Sequence, residues 1–307
     1  MKKSGMTYYK ELLGYYEMPA FLIKYLDTPC LTRLKNVGYF CGMDYASKDI
    51  YQFKEYISRY DHSVTTALLT WKLTKDMKST IAALFHDIST PCFSHVIDYM
   101  NKDYERQEST ERYTSAILKS SRYLEKHLKE DDVDIEEVIN FKKYPIVDNN
   151  RPKLCADRLD GVILTGYGWI KDIQKEDMRK ILSELEVYKN ENEEQEIGFK
   201  SKEIANKIVE CTKNANIACH SKEDQYMMEL LASITNLAIE HHLISYRELY
   251  NFNEKSVMYI LKRCADKEIL EKLAQFEHIK KEEIPNLEPL KIKTRTINPL
   301  VKGKRLY

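Results

Sequence analysis

His86 and Asp87 stand side by side where the apolar run Ala83-Leu84-Phe85 gives way to Ile88-Ser89-Thr90-Pro91. An imidazole and a carboxylate at the end of a helix can reach a single point, and such a point can hold a divalent cation. For an isolated pair the plain alternative is a helix-end histidine beside a cap-like aspartate. Two further residues count against it. His62 lies upstream in Arg59-Tyr60-Asp61-His62-Ser63, and Asp157 lies downstream in Ala156-Asp157-Arg158-Leu159-Asp160.

The elements that must position these residues read as helices. Nine glycines and eight prolines fall mostly between periodic segments, which argues an all-α protein. Tyr8 to Tyr15 reads as a short amphipathic helix. Thr28 can cap a helix that Pro29 opens, and Arg33 projects from it, either into solvent or toward a phosphate or buried carboxylate. Residues 59–75 form a helix whose apolar face is Val64, Ala67, Leu68, Trp71 and Leu73, with Arg59 and His62 on one side of its first turn. The helix over 79–86 ends at the His-Asp pair, and Pro91 starts another through Met100.

Helices follow over 109–119 and 133–141. The segment 144–152 is an extended linker before the helix that carries Asp157, on which Lys153, Asp157 and Asp160 share one face. The stretch 190–196 is acidic and polar, a solvated mobile loop. Helices over 199–219, 222–245, 254–264 and 267–276 give a second section with a Met227 to Ile239 core. His241 and His242 at a helix end read as structural or surface residues. From Pro285 the chain is a basic arm, strand-like or extended over 291–297. The expected organisation is a core over 1–170, a helical extension over 171–284 packed on it, and a basic tail over 285–307.

Lys+Arg and Asp+Glu are equal at 48 each, so no global charge recruits nucleic acid or an anionic membrane. Any phosphate binding must come from a local cluster. The apolar share of 43% with 31% charged residues fits a soluble globular chain of 307 residues. No apolar stretch approaches the roughly 18 residues of a membrane span, and Met1-Lys2-Lys3-Ser4-Gly5 has no apolar segment behind it to make a signal peptide. Seven cysteines without a CxxC pair argue against a disulfide framework or zinc ribbon and for a reducing cytoplasm. Cys92 and Cys155, near the proposed ligands, read as small core fillers before redox-sensitive thiols.

The order of a lone His, a His-Asp pair and a distant Asp resembles the HD superfamily of metal-dependent phosphohydrolases. Within it the chain is most similar to the deoxynucleotide triphosphohydrolase branch. The resemblance covers about residues 20–170. It runs through Leu26-Asp27-Thr28-Pro29 with Arg33-Leu34, Arg59-Tyr60-Asp61-His62-Ser63, the His86-Asp87 stretch through Phe93-Ser94-His95, and Asp157-Arg158-Leu159-Asp160. It implies an HD-domain helical bundle, with His62, His86, Asp87 and Asp157 as metal ligands. Such a mixed N/O set with open positions suits Mn, Fe, Co, Ni or Mg, with Zn also compatible. Arg59 matches a phosphate-contacting arginine and Arg158 the basic residue after the metal aspartate, with Lys153 a further phosphate candidate.

The chain departs from the branch where Thr90 and Gln107-Glu108 stand at positions usually holding His and His-Glu, and Gly161 where Tyr is common. Threonine and glutamine cannot serve as general acids near neutral pH. The catalytic proton would therefore fall to Glu108, His95 or metal-bound water. Glu111, three residues on, reads as a helix-dipole partner.

The leading reading is a phosphohydrolase acting on a nucleotide or other small phosphorylated substrate. The family's habit of assembling adds a homo-oligomer to the expected partners. The competing readings are a degenerate metal and nucleotide sensor or assembly subunit, and a nucleic-acid phosphodiesterase. Zero net charge counts against the last.

Overall fold

The computed structural model describes residues 8–307, so the leader reading of Met1–Gly5 lies outside the described residues. The fold is mostly helical, as the punctuation by glycine and proline implies, with fifteen α-helices among the described residues. The central one is Arg59–Thr74. Its start is fixed by a capping box: the Ser58 hydroxyl accepts the Asp61 N–H at 3.1 Å and the Asp61 carboxylate accepts the Ser58 N–H at 2.8 Å. It stops where Lys75 takes a left-handed conformation, φ 51°. Met77–Phe85 follows at once, capped by Asp76, and packs back along the central helix. Ala156–Thr165 packs on the same central helix. His62 and Asp157 lie in the first turns of their helices, and His86 and Asp87 directly follow the last turn of theirs.

Two hydrophobic cores support them. The first includes Leu22, Leu34, Leu68, Phe85 and Ile163. The second joins early loop residues such as Met43, Tyr51 and Phe93 to the later helices Lys222–Glu240, Glu254–Arg263 and Lys267–His278, through Leu231, Met258 and Phe276. Arg33 ties the two together, its guanidinium donating to the carbonyls of Ile88, Thr90 and Phe252 at 3.1, 2.7 and 3.2 Å. Its partners are backbone carbonyls, where the sequence suggested solvent, a phosphate or a carboxylate.

Several elements differ from the sequence expectation. The 109–119 segment is a 3-10 turn, Ser109–Glu111, and a separate helix, Thr114–Ser120. Helices at Arg122–Glu130 and Lys175–Glu184 were not read from the sequence. The 222–245 helix ends at Glu240, because His242 turns left-handed at φ 57° and the Leu243 N–H folds back on the Ala238 carbonyl at 2.9 Å.

The acidic stretch is the turn of a β-hairpin, residues 190–194, with Gln195 and Glu196 opening its second strand. Strands β1 (Leu185–Lys189) and β2 (Gln195–Phe199) pair antiparallel, β3 (Leu300–Val301) adds parallel to β2, and β4 (Lys304–Arg305) pairs antiparallel to β3. The hairpin's second strand carries a buried charge. Glu196 is fully buried and takes Arg305 at 2.5 and 2.6 Å, a partner 109 residues away. Local composition carries no trace of such a contact. The tail is therefore pinned down, and its 291–297 arm is extended chain without strand pairing. Among the described residues no helix is long and apolar enough to cross a membrane.

Candidate metal centre

Nε2 of His62, on the first turn of the central helix, lies 3.0 Å from Asp157 Oδ1 and 3.9 Å from Asp87 Oδ2. Nε2 of His86 lies 3.5 Å from the same Asp157 oxygen and 3.9 Å from Asp87 Oδ1. Ligand atoms of His62, His86 and Asp87 all fall within 4.8 Å of one another. The four residues thus face one small cup. Both histidines are buried and the aspartates half-buried.

The outer nitrogens of both rings are held. His62 Nδ1 meets the buried Asp160 carboxylate at 2.8 Å, and that carboxylate also accepts the Thr65 hydroxyl at 2.8 Å. His86 Nδ1 lies 2.7 Å from the Ala83 carbonyl, which can only accept, so Nδ1 carries the proton. His86 Nε2 is buried without a hydrogen bond, its nearest acceptor being Asp157 Oδ1 at 3.5 Å. A ring nitrogen held this way beside two carboxylates is suited to a divalent cation. The residues fit such an ion.

Electrostatics agree. Burial alone would push His62 down, but its hydrogen bonds to Asp157 and Asp160 and the charges of Asp160 and Asp87 raise it to about 10. Burial would raise Asp87, yet His86, Arg59 and His62 hold it down at about 2. Burial would likewise raise Asp157, but hydrogen bonds from both histidines and their charges carry it well below the usual carboxylate range. The cup is a concentration of negative charge offset by Arg59 and by protons on its imidazoles. A metal ion would displace those protons.

The cup opens into a cavity of about 290 Å³. Arg59 and Arg158 line it, but both are engaged: Arg59 Nη1 with Asp87 Oδ2 at 2.9 Å, and Arg158 Nη2 with Asp148 at 3.3 Å and with Asn149. Lys153 is not brought in. Its helix starts only at Ala156, after Pro152 and the Cys155 N-cap, and Lys153 turns to Glu194 instead. Glu108 is exposed and not on the cavity wall, where Gln107 stands. Glu111 lines the rim and pairs with Lys142 at 2.6 Å.

His95 does line the cavity. Its Nδ1 meets Asp98 Oδ2 at 2.9 Å, and burial pushes its pKa down despite that carboxylate, aided by Arg295 and Arg59. Thr90 is on the wall too. At Gly161 a Cβ would sit 2.7 Å from the Tyr39 hydroxyl, so Tyr39 fills the space that a side chain there would need. Its ring packs on His62 at 5.1 Å and under the Arg59 guanidinium at 4.8 Å. Cys92 and Cys155 are buried, donating to the Phe252 carbonyl and to Asp148. His241 pairs with Asp266, away from the cavity.

Sequence reasoning missed Arg151, Lys293 and Arg295 on the wall, and Asp224, which is buried and takes the Tyr51 hydroxyl at 2.7 Å. The basic tail was a signal for Lys293 and Arg295, and no motif marked Arg151 or Asp224.

Residues 59–162, which contain the whole cup, match the HD domain family. This segment is an HD domain. The chain is 31% identical over 135 residues to the metal-dependent phosphohydrolase cns2 of Cordyceps militaris, covering 43% of this chain and 37% of that protein. It is 25% identical over 224 residues to the uncharacterized protein YdhJ of Bacillus subtilis, covering 70% of this chain and 64% of that one. The chain therefore spans less than two thirds of either relative. A hypothetical protein from Aquifex aeolicus shares the fold, with a TM-score of 0.55 and 17% identity over 84% of this chain and 71% of that one. The HD domain accounts for the helical frame around the cup, and the later helices and tail close the cavity from outside it.

Proposed function

We propose that this chain is a metal-dependent phosphohydrolase that cleaves a phosphate ester or anhydride bond of a nucleotide or similar small phosphorylated substrate. The observation that carries the reading is the buried, unpartnered Nε2 of His86, facing Asp87, Asp157 and His62 at the floor of a cavity. His62, His86, Asp87 and Asp157 would hold the ion. When bound, a divalent cation lowers the pKa of a water and draws charge from a phosphoryl oxygen.

The chain's own groups do the rest. Asp160 and the Ala83 carbonyl orient the two imidazoles, so the cup is preorganised. Arg59 holds Asp87 in place and keeps it ionised. With Nδ1 on Asp98, His95 has its Nε2 left to exchange a proton with water or the leaving group, whereas Glu108 does not line the cavity. Phe40, Tyr51, Phe53 and Trp169 form a packed aromatic cluster on the cavity wall, an apolar surface beside the cup.

The test is product release from nucleoside mono-, di- and triphosphates, deoxy and ribo, with Mn, Fe, Co or Mg, beside Asp87→Ala. Metal-dependent turnover that vanishes in the variant is expected, and the product names the bond cleaved. Stoichiometric metal without turnover of any substrate would overturn the hydrolase reading in favour of a binding or sensor role.

A further inference from the structure

Away from the metal cup, Asp44 Oδ2 and Glu254 Oε2 are buried without a hydrogen-bond partner among the described residues. They face one spot. A Cβ on Gly38 would lie 2.9 Å from the Asp44 oxygen and 3.1 Å from the Glu254 oxygen, so both acceptors border the space that glycine leaves. A buried oxygen without a donor costs stability, and two that border one space can be satisfied by a single positive group.

The rest of the spot is fixed. Glu254 is fully buried in the first turn of Glu254–Arg263, where its Oε1 accepts the Phe93 N–H at 3.2 Å and the carboxylate also takes the Gly38 N–H. The Gly38 carbonyl in turn accepts the Ser94 hydroxyl at 3.2 Å, and Ser94 Oγ accepts Arg59 Nε at 3.2 Å. Asp44 lies in the 3-10 turn Met43–Tyr45 and is only half-buried, which gives the spot a side near the surface.

Two cations act on the pair, and neither forms an ion pair with it. Lys48 draws Asp44 down, but it is exposed and its Nζ donates to the Asp44 carbonyl at 2.8 Å. Arg59 draws Glu254 down, but its guanidinium is bonded to Asp87. Burial outweighs both, raising Asp44 to about 7 and Glu254 to about 8, with Asp44 adding to the rise of Glu254. The Tyr45 and Tyr56 hydroxyls, raised by burial and then by these two carboxylates, bring no positive charge. Metal binding displaces protons from such ligands.

We propose that Asp44 and Glu254 form a second cation site, separate from the cup, that takes a hard divalent cation, calcium, between their two orphan oxygens. The donors are all oxygen, which suits calcium or magnesium, whereas the imidazoles of the cup suit transition metals. Two carboxylates balance one divalent charge. Calcium tolerates irregular geometry and can complete its shell with water from the Asp44 side, which favours it over magnesium. The ion joins the segment from Gly38 to Asp44, the turn at Phe93 and the helix Glu254–Arg263. It thereby clamps the later helices onto the HD domain. This inference does not rest on the phosphohydrolase reading, since the site takes no part in turnover.

The experiment is calorimetric titration of calcium into the metal-free full chain at pH 8, for the wild type, Asp44→Asn, Glu254→Gln and the cup variant His86→Phe. The wild type and His86→Phe should each bind one calcium at this site and melt at a higher temperature with it. Asp44→Asn and Glu254→Gln should weaken that calcium roughly tenfold or more, while manganese binding at the cup persists. No calcium bound by the wild type would overturn the proposal without recourse to any variant, and would leave the two carboxyls sharing protons only. Calcium binding lost in His86→Phe would overturn it by assigning the ion to the cup. So would unchanged calcium affinity in Asp44→Asn with wild-type circular dichroism and melting.

Discussion

The Ala83 carbonyl accepts the Nδ1–H of His86 at 2.7 Å, which leaves the buried Nε2 facing Asp157 Oδ1 at 3.5 Å without a hydrogen bond. Leaving that atom unsatisfied costs the apo protein stability. His86→Phe keeps the ring volume and removes the lone pair. The apo variant should melt within about 1 kcal/mol of wild type, or higher, while the rise in melting temperature on adding Mn or Co disappears. A variant that still gains stability from metal would sink the ligand assignment of His86.

Asp160 stays off the cavity wall but holds His62 through Nδ1 at 2.8 Å. Orientation of a ligating histidine by a carboxylate typically matters roughly 10–100-fold in metal affinity. Asp160→Asn should therefore weaken metal binding by that factor, measured by competition with a chelating dye. Unchanged affinity would show that Asp160 serves only to satisfy Thr65.

His95 and Glu108 separate as proton-transfer candidates because only His95 is on the cavity wall. His95→Asn should lower kcat by roughly 100-fold with metal stoichiometry intact, whereas Glu108→Gln should stay within about threefold of wild type. The opposite ranking would return Glu108 to the site.

Glu254, at the start of its helix, is buried, and burial with the nearby Asp44 raises it from 4.5 to about 8. A carboxyl with its pKa raised on folding holds its proton longer in the native state than in the unfolded one. Its contribution is complete below about pH 4.5 and is lost as pH rises toward 8, where the native group finally ionises. Wild-type stability should fall over that window by an amount on the order of a few kcal/mol at most. Glu254→Gln should flatten the fall, with the two proteins converging toward the acid end of the window. Parallel denaturation curves at every pH would show that Glu254 does not titrate there.

Arg305 matches the buried charge of Glu196, and the pair anchors the tail that carries Lys293 and Arg295. Arg305→Met leaves that charge unpaired and should cost on the order of 3 kcal/mol in urea denaturation. Limited proteolysis should then cut first after residue 285. Resistance equal to wild type would show that the tail is held without the pair.

The helical class and the cup were legible in the sequence. His62, His86, Asp87 and Asp157 sit near helix ends marked by local signals: the Ser58 capping box, the end of the apolar run at Phe85, and the start at Ala156 after Pro152. Such signals act over three or four residues, within reach of sequence spacing. The same locality explains the misplacement of Lys153, since a residue on the wrong side of a helix start faces elsewhere.

What surrounds the cup was settled by tertiary contacts alone. Asp160 could be seen on the face shared with Asp157, but its bond to His62 crosses 98 residues. Glu196 of the hairpin meets Arg305 across 109 residues, and Arg151 meets the Thr294 carbonyl across 143. A charge pairs with whatever the fold brings near it, and its own segment does not encode which partner that will be. For that reason the convergence of His62, His86, Asp87 and Asp157 accords with a resemblance carried by residue order, whereas Arg59, Arg158 and Lys153, expected to meet phosphate, lie against Asp87, Asp148 and Glu194. Arg151, Lys293 and Arg295, the further cations on the cavity wall, lay in a linker and in a tail with no motif.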